Sequence, residues 1–139
     1  MPLSHLEVYE QIKFQAKITK ETLEKSLKKE VIFSSSIFDN NFNYYRNKAT
    51  YHVNNDEYLK IGIFQENSHV LVEIDHDLLA LPLINKILEA LSKDYKTNKI
   101  TANNLKQIII KASECEAMVI FKTSDDKKIN QALIRPLLN

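Results

Sequence analysis

Apolar and polar side chains alternate along the middle of this chain, which predicts three consecutive β-strands. The first strand spans residues 45–53, and the next two span residues 58–64 and 69–74, after polar turn clusters. In the first strand, apolar side chains fall on one face and basic or polar side chains on the other: Tyr45, Ala49, Tyr51 and Val53 against Arg46, Lys48, Thr50 and His52. We therefore expect a meander with one core-facing side.

Apolar positions at helical spacing predict helices before and after this meander. Residues 5–29 carry an apolar stripe behind a capping box of Ser4 and Glu7, and Pro82 opens a second helix that ends near Asp94. Residues 105–112 and 117–122 predict a second hairpin, after which Ser124 caps a last helix.

The order of these elements predicts the fold class. It is α-βββ-α-ββ-α, without any strand-helix-strand unit that requires a parallel crossover. We therefore expect an α+β fold, with an antiparallel sheet of about five strands covered by helices. At 139 residues the chain is long enough to form one domain, residues 1–139, with a core of its own.

The amino-acid composition of the chain excludes several kinds of functional site. The net charge of +1 excludes an overall basic field, so any contact with nucleic acid must be local. One glycine, Gly62, rules out glycine-rich phosphate loops, and one cysteine, Cys115, rules out an internal disulfide or a multi-cysteine metal site. With no signal peptide and no apolar run of the ~20 residues that a transmembrane helix needs, we expect a cytoplasmic, soluble protein with no membrane partner.

The polar side of the first strand is the candidate surface for a polyanion. Its cations suit phosphate contacts, and two histidines lie in or near the strands that follow. The candidate RNA-binding residues are Arg46, Asn47, Lys48, His52 and His69. Aromatic residues in the loop at 31–43 could stack on bases, although docking of that loop onto a core is the more common role of such side chains.

Two other segments contain residue types found in metal sites or catalytic sites. Asp75, His76 and Asp77 are metal-ligand and acid-base types, but adjacent residues at a strand end point in different directions, which disfavours a metal site. Cys115 lies between Glu114 and Glu116, whose charges disfavour a thiolate nucleophile. We predict no catalytic, cofactor-binding or metal-binding residue.

The order and spacing of several short motifs resemble the middle of the RNA uracil-5-methyltransferases, over almost the whole chain. The motifs are Pro2-Leu3-Ser4-His5-Leu6, Tyr45-Arg46-Asn47-Lys48-Ala49, Ile61-Gly62-Ile63-Phe64, Ser68-His69, Val72-Glu73-Ile74, Leu81-Pro82-Leu83-Ile84-Asn85 and the run from Leu105 to Ser113. The resemblance implies an α+β insert that helps to hold ribosomal or transfer RNA, beside a separate domain that binds S-adenosylmethionine and supplies the catalytic cysteine and base.

Departures from the family pattern limit what this chain can do. Asp77 occupies the position of the family's fourth iron-sulfur cysteine, so a cluster held by four thiolates is not expected. The chemistry implied by the resemblance, attack of a thiolate at uracil C6 with methyl transfer to C5, has no candidate residue in the chain. The alternative is a non-enzymatic domain that binds a protein, and an enzyme based on Asp75, His76 and Asp77 is the weakest hypothesis.

Overall fold

A computed structural model describes residues 6–39 and 41–138 of the chain. It divides into two compact units, Met1–Asn40 and Asn41–Asn139, which we describe separately. Ser4, the predicted helix cap, lies outside the described residues.

The first unit contains one long helix, α1 (Val8–Leu27). The predicted helix is confirmed, with ends about three residues shorter. It stops at Lys28, whose left-handed φ of 52° lets its amide donate to the Glu24 carbonyl. No residue of α1 is buried, and the apolar side chains of Tyr9 and Leu27 are exposed. The following residues form no regular structure, although the Phe38 ring meets the Tyr9 ring edge-on at 6.3 Å.

The second unit contains the sheet that the alternation predicted. Its strands are β1 (Lys48–Asn55), β2 (Leu59–Phe64), β3 (Leu71–Glu73), β4 (Leu105–Ala112) and β5 (Ala117–Thr123), and its helix is α2 (Pro82–Thr97). The strands pair in the order β3-β2-β1-β4-β5, and every pairing is antiparallel. The expected α+β fold with a five-stranded antiparallel sheet is confirmed.

The core lies between α2 and one face of the sheet. Ile84, Leu88, Leu91 and Tyr95 of α2 are fully buried against strand residues that include Tyr51, Ile61 and Ile108. Tyr95 also donates its hydroxyl to the Leu133 carbonyl at 2.8 Å, which ties the C-terminal segment to the helix. Burial of this apolar surface is the main source of stability for the unit.

The predicted last helix is wrong. Two short 3-10 turns, Gln131–Leu133 and Arg135–Leu137, stand in its place, and the first is capped by Asn130 rather than by Ser124. The carboxylate of Asp125 accepts hydrogen bonds from the Lys127 amide and from the Asn104 side chain. These local bonds compete with helix formation at the predicted start.

β1 begins three residues later than predicted, because the backbone before it bonds elsewhere. The Arg46 amide donates to the Leu79 carbonyl at 2.7 Å, and the Arg46 carbonyl accepts from the Leu81 amide at 2.9 Å. Asn47 then bends the chain into the sheet. Tyr45, expected on the core side, is consequently 49% exposed.

Candidate nucleic-acid interface

The sheet of the second unit has one face against α2, which we call the helix-covered face, and an opposite face, which we call the open face. Ala49 and Tyr51 of β1 are buried on the helix-covered face, while Lys48 and Thr50 are exposed. Strand register places the following side chains on the open face: Lys48, Thr50, His52, Phe64, Gln107, Ile109, Lys111, Met118, Ile120 and Lys122. The predicted alternation is confirmed from Lys48 to Val53.

Two lysines lie side by side at one end of the open face. Lys48 of β1 is directly opposite Lys111 of β4, and neither forms an ion pair with any residue in the described ranges. Both line a shallow groove of about 490 Å³, together with Asn47, Ser113 and the carboxylate-bearing Glu116. Like charges directly opposite each other destabilise a sheet, so an anion bound here would relieve their repulsion.

Aromatic rings gather on the open face at the side of β1 that adjoins β2. The imidazole of His52 lies 4.2 Å from the Phe64 ring, centroid to centroid, with a tilt of 30°. His69 meets the same Phe64 ring edge-on at 6.0 Å. Gln107, opposite His52 in register, has its amide nitrogen 3.5 Å from His52 Nδ1. The two histidines proposed from sequence are therefore brought together by a phenylalanine that the sequence did not single out.

Gly62 allows β3 to lie close to β2. It lies opposite His52 of β1 and opposite Glu73 of β3 in register. A Cβ at this position would clash with the Val72 carbonyl of β3. The glycine thus permits the close approach of β3.

Arg46 does not share the face of Lys48. It precedes β1, and its positive charge acts on the hydroxyl of Tyr51, a residue of the helix-covered face. The Asn47 side chain lines the groove beside Lys48, and the Asn47 carbonyl accepts from the Ala112 amide at 2.9 Å. The structure therefore groups Asn47 with Lys48 and His52 with His69, and it places Arg46 elsewhere.

Sequence inspection missed Lys111, Lys122, Phe64 and Gln107 as members of this surface. The sequence pattern indicates some of them, because Gln107, Ile109 and Lys111 alternate with buried isoleucines in β4. Alternation shows which residues of β4 share a face, but it does not show that β4 pairs with β1. That pairing alone sets Lys111 beside Lys48.

Asp77 supports the connection that runs from β3 to α2. Its carboxylate accepts from the Tyr51 hydroxyl at 3.1 Å and from the Leu79 amide at 2.9 Å. Burial, together with the nearby Asp77 charge, raises the pKa of Tyr51 above its usual 10.0. The buried Asn85 accepts from the Asp77 amide and donates to the Asp77 and Ala80 carbonyls. Asp77 therefore has a structural role here.

The side chain of His76 points to different partners. Its Nε2 lies 3.2 Å from the Tyr44 hydroxyl, and its Nδ1 lies 3.5 Å from Glu89. Across the described ranges, no group of three or more His, Cys, Asp or Glu side chains could hold a metal ion. Cys115 is exposed in the turn between β4 and β5.

Comparison with known proteins shows a partial relationship. No protein-family model matches the chain. Over 71 residues, or 50% of its length, the chain is 39% identical to a protein of Prochlorococcus marinus named an uncharacterized RNA methyltransferase. The chain covers 17% of the length of that protein. Half of this chain is thus similar in sequence to a small part of an RNA methyltransferase.

Membrane insertion through a helix finds no support in the structure. In the described ranges, neither helix has a stretch both long and apolar enough to cross a bilayer.

Proposed function

We propose that this domain holds RNA for an S-adenosylmethionine-dependent RNA uracil-5-methyltransferase that modifies ribosomal or transfer RNA. The catalytic cysteine, the general base and the site for S-adenosylmethionine, which supplies the methyl group, would belong to a separate catalytic domain. That domain and the RNA are the expected partners. The role of the present domain is to bind and orient the substrate.

The observation that carries the assignment is the pair Lys48 and Lys111 on the open face. The groove contains two ammonium groups with no described ion-pair partner, an amide and a hydroxyl, against one carboxylate, that of Glu116, and its net positive charge suits a phosphate of a nucleic acid. The similarity to a named RNA methyltransferase favours RNA over other polyanions. Contacts of this kind position RNA but do not read its sequence.

The affinity of the isolated domain should be weak and strongly dependent on salt. When a lysine neutralises a phosphate, the RNA releases a bound counterion. The salt slope of the association constant therefore reports how many phosphates are neutralised, and it should be small for a few lysines. Each phosphate contact to single-stranded RNA should contribute about 0.7 to that slope.

Fluorescence anisotropy with a labelled single-stranded RNA, measured between low and moderate salt, tests the proposal. We expect Lys48→Ala with Lys111→Ala to weaken binding at low salt and to lower the salt slope by about 0.7 if the two lysines share one phosphate, or by about 1.4 if they contact two. Lys86→Ala with Lys93→Ala removes the same charge from exposed positions of α2 on the opposite side of the sheet, and it serves as the matched control.

Equal binding by the two double variants would contradict the role of the open face. The double variant that combines Arg46→Ala and Lys48→Ala, compared with Lys48→Ala alone, tests whether Arg46 contacts RNA. If that pair binds no more weakly than Lys48→Ala alone, Arg46 does not contact RNA. Loss of binding in the α2 control alone would move the RNA site to the helix.

A second candidate function is a non-enzymatic domain that binds a protein. The observation in its favour is α1, where Tyr9, Phe14, Ile18, Leu23 and Leu27 are all exposed. Such a domain would associate with its partner equally well with or without added RNA. Pull-down of the partner before and after ribonuclease treatment separates the two functions.

A further inference from the structure

We propose that His52, Phe64 and His69 form a stacking platform for one unpaired nucleobase of the bound RNA. This inference rests on the proposed function, since it specifies what the RNA places on the open face. We call these three residues the ring cluster. It differs from the lysine groove in chemistry, because stacking recognises the flat face of a base and not its phosphate.

The geometry of the ring cluster suits stacking. Phe64 is 41% exposed, although a phenyl ring is usually buried when it serves only a core. The His52 ring is tilted by 30° to the Phe64 ring and the His69 ring stands edge-on to it, so the cluster combines a closely packed ring pair with a third ring at a right angle. A base has the shape and the π-face to fit such a surface.

Polar groups beside the rings add specificity for a base over an apolar ligand. The Gln107 amide, which carries donors and an acceptor, lies against His52, and amides of this type hydrogen-bond base edges. Lys122 is opposite Gln107 in register and places a positive charge on the same face. The surroundings are therefore suited to an anionic, aromatic ligand.

The spacing along β1 connects the ring cluster to the lysine groove. His52 lies four residues beyond Lys48 on the same face, which corresponds to about 13 Å at about 3.3 Å per residue. A single RNA strand can therefore place a phosphate at Lys48 and Lys111 while one of its bases lies on the rings. A phosphate contact and a stacking contact on one rigid sheet would together fix the position of the RNA strand.

The first experiment compares two RNAs of equal length, one with bases and one with abasic sites, by fluorescence anisotropy. We expect Phe64→Leu to weaken binding of the base-containing RNA about tenfold, because stacking contributes roughly that much per base. The same variant should bind the abasic RNA as the unchanged protein does, and its salt slope should not change.

Phe33→Leu provides the matched control. Phe33 is 45% exposed and carries the same ring, but it belongs to the first unit and lines a different groove. We expect this variant to bind both RNAs normally. If Phe33→Leu weakens binding of the base-containing RNA and Phe64→Leu does not, the bases stack on the loop after α1 and the inference is wrong.

A second experiment separates this inference from the proposed function. Adenosine, which has a base but no phosphate, is titrated into the unchanged protein while the aromatic proton signals of His52, Phe64 and His69 are followed by NMR. We expect ring-current shifts that grow with adenosine and that are absent in Phe64→Leu. Absence of shifts overturns the ring cluster even if RNA binds through the lysines. Shifts without any RNA binding overturn the proposed function and leave a nucleobase site.

Discussion

The two faces of the sheet in the second unit are made by the same strands and differ in almost every property. On the helix-covered face, Tyr51 of β1 and Ile108 of β4 lie opposite each other and are almost completely buried. On the open face, at the neighbouring position of each strand, Thr50 and Ile109 lie opposite each other and retain contact with solvent. Of two adjacent residues in one strand, one therefore packs in the core and the other lies on the exposed surface.

This difference shows how a small domain can combine stability with a binding surface. The helix-covered face supplies the buried apolar area, so the open face need not be optimised for stability. Lys48 and Lys111 can then lie opposite each other although their charges repel. Substitutions on the two faces should accordingly affect different measurements.

The largest effect on stability is expected from truncating one side chain of the helix-covered face. Ile108→Ala should lower the free energy of unfolding by about 2–5 kcal/mol, because it removes buried methyl groups and leaves a cavity. Ile109→Ala, the neighbouring substitution on the open face, should cost clearly less. Both variants change β-propensity equally, so the difference between their urea midpoints reports burial.

A nearly equal loss in the two variants would mean that the open face is as well packed in solution as the helix-covered face. The distinction drawn here between the faces would then be wrong. RNA binding by Ile109→Ala provides a second measurement, since this residue lies between the lysines and the ring cluster.

An intermediate effect is expected from alkaline pH, and its largest part should arise from the two tyrosines buried on the helix-covered side. Burial raises the pKa of both Tyr51 and Tyr95 above the usual 10.0. The folded state therefore keeps both protons at a pH where the unfolded chain releases them. Their contribution to stability is complete below about pH 10 and decreases above it, by up to about 1.4 kcal/mol per pH unit for each group.

Thermal unfolding followed by circular dichroism between pH 8 and pH 11 measures this effect. Tyr95→Phe should have a melting temperature that falls less steeply above about pH 10, because one of the two raised groups is gone. Tyr45→Phe, at an exposed position, should leave the slope unchanged. Identical slopes in all three proteins would rule out ionisation of Tyr95 as a cause of alkaline unfolding.

The smallest effect on stability is expected on the open face, and its sign should be opposite. Lys111→Glu replaces the repulsion with Lys48 by an attraction and should raise the free energy of unfolding by about 0.2–1 kcal/mol. The same change should weaken RNA binding at low salt, because it introduces a negative charge into the groove. Stability and binding would thus move in opposite directions.

A matched variant makes this test specific. Lys86→Glu makes the same charge change on the exposed side of α2, away from the open face. It should leave RNA binding nearly unchanged. If Lys111→Glu instead destabilised the protein while RNA binding persisted, the two lysines would have a structural function and not a binding function.

Much of the fold could be predicted from local patterns. β4 has the predicted bounds, β5 is one residue longer than predicted, and α2 begins at the predicted Pro82. These elements combine strong periodicity with clear turn or proline signals, so local sequence dominates. The failures lie where other hydrogen bonds override the pattern. Before β1, the backbone of Arg46 bonds to the distant residues Leu79 and Leu81, and after β5 the Asp125 side chain bonds to the nearby Lys127 amide.

The candidate interface was predictable only in part. The alternation of Lys48 with Ala49 and Tyr51 is a property of one strand, and it correctly assigned the two faces of β1. By contrast, Arg46 was assigned to that face because the start of the strand was placed too early. His52 and His69 were chosen as cations, whereas the structure places both against the Phe64 ring.

The sequence by itself determined the types and the order of α1, the five strands and α2, and the two faces of β1, because those features depend on side chains only a few residues apart. The expected meander already placed β1 beside β2, whereas tertiary structure alone decided that β1 also pairs with β4 and therefore that Lys48 faces Lys111. Strand order depends on packing of the whole sheet against α2, a free-energy balance among residues far apart in the chain.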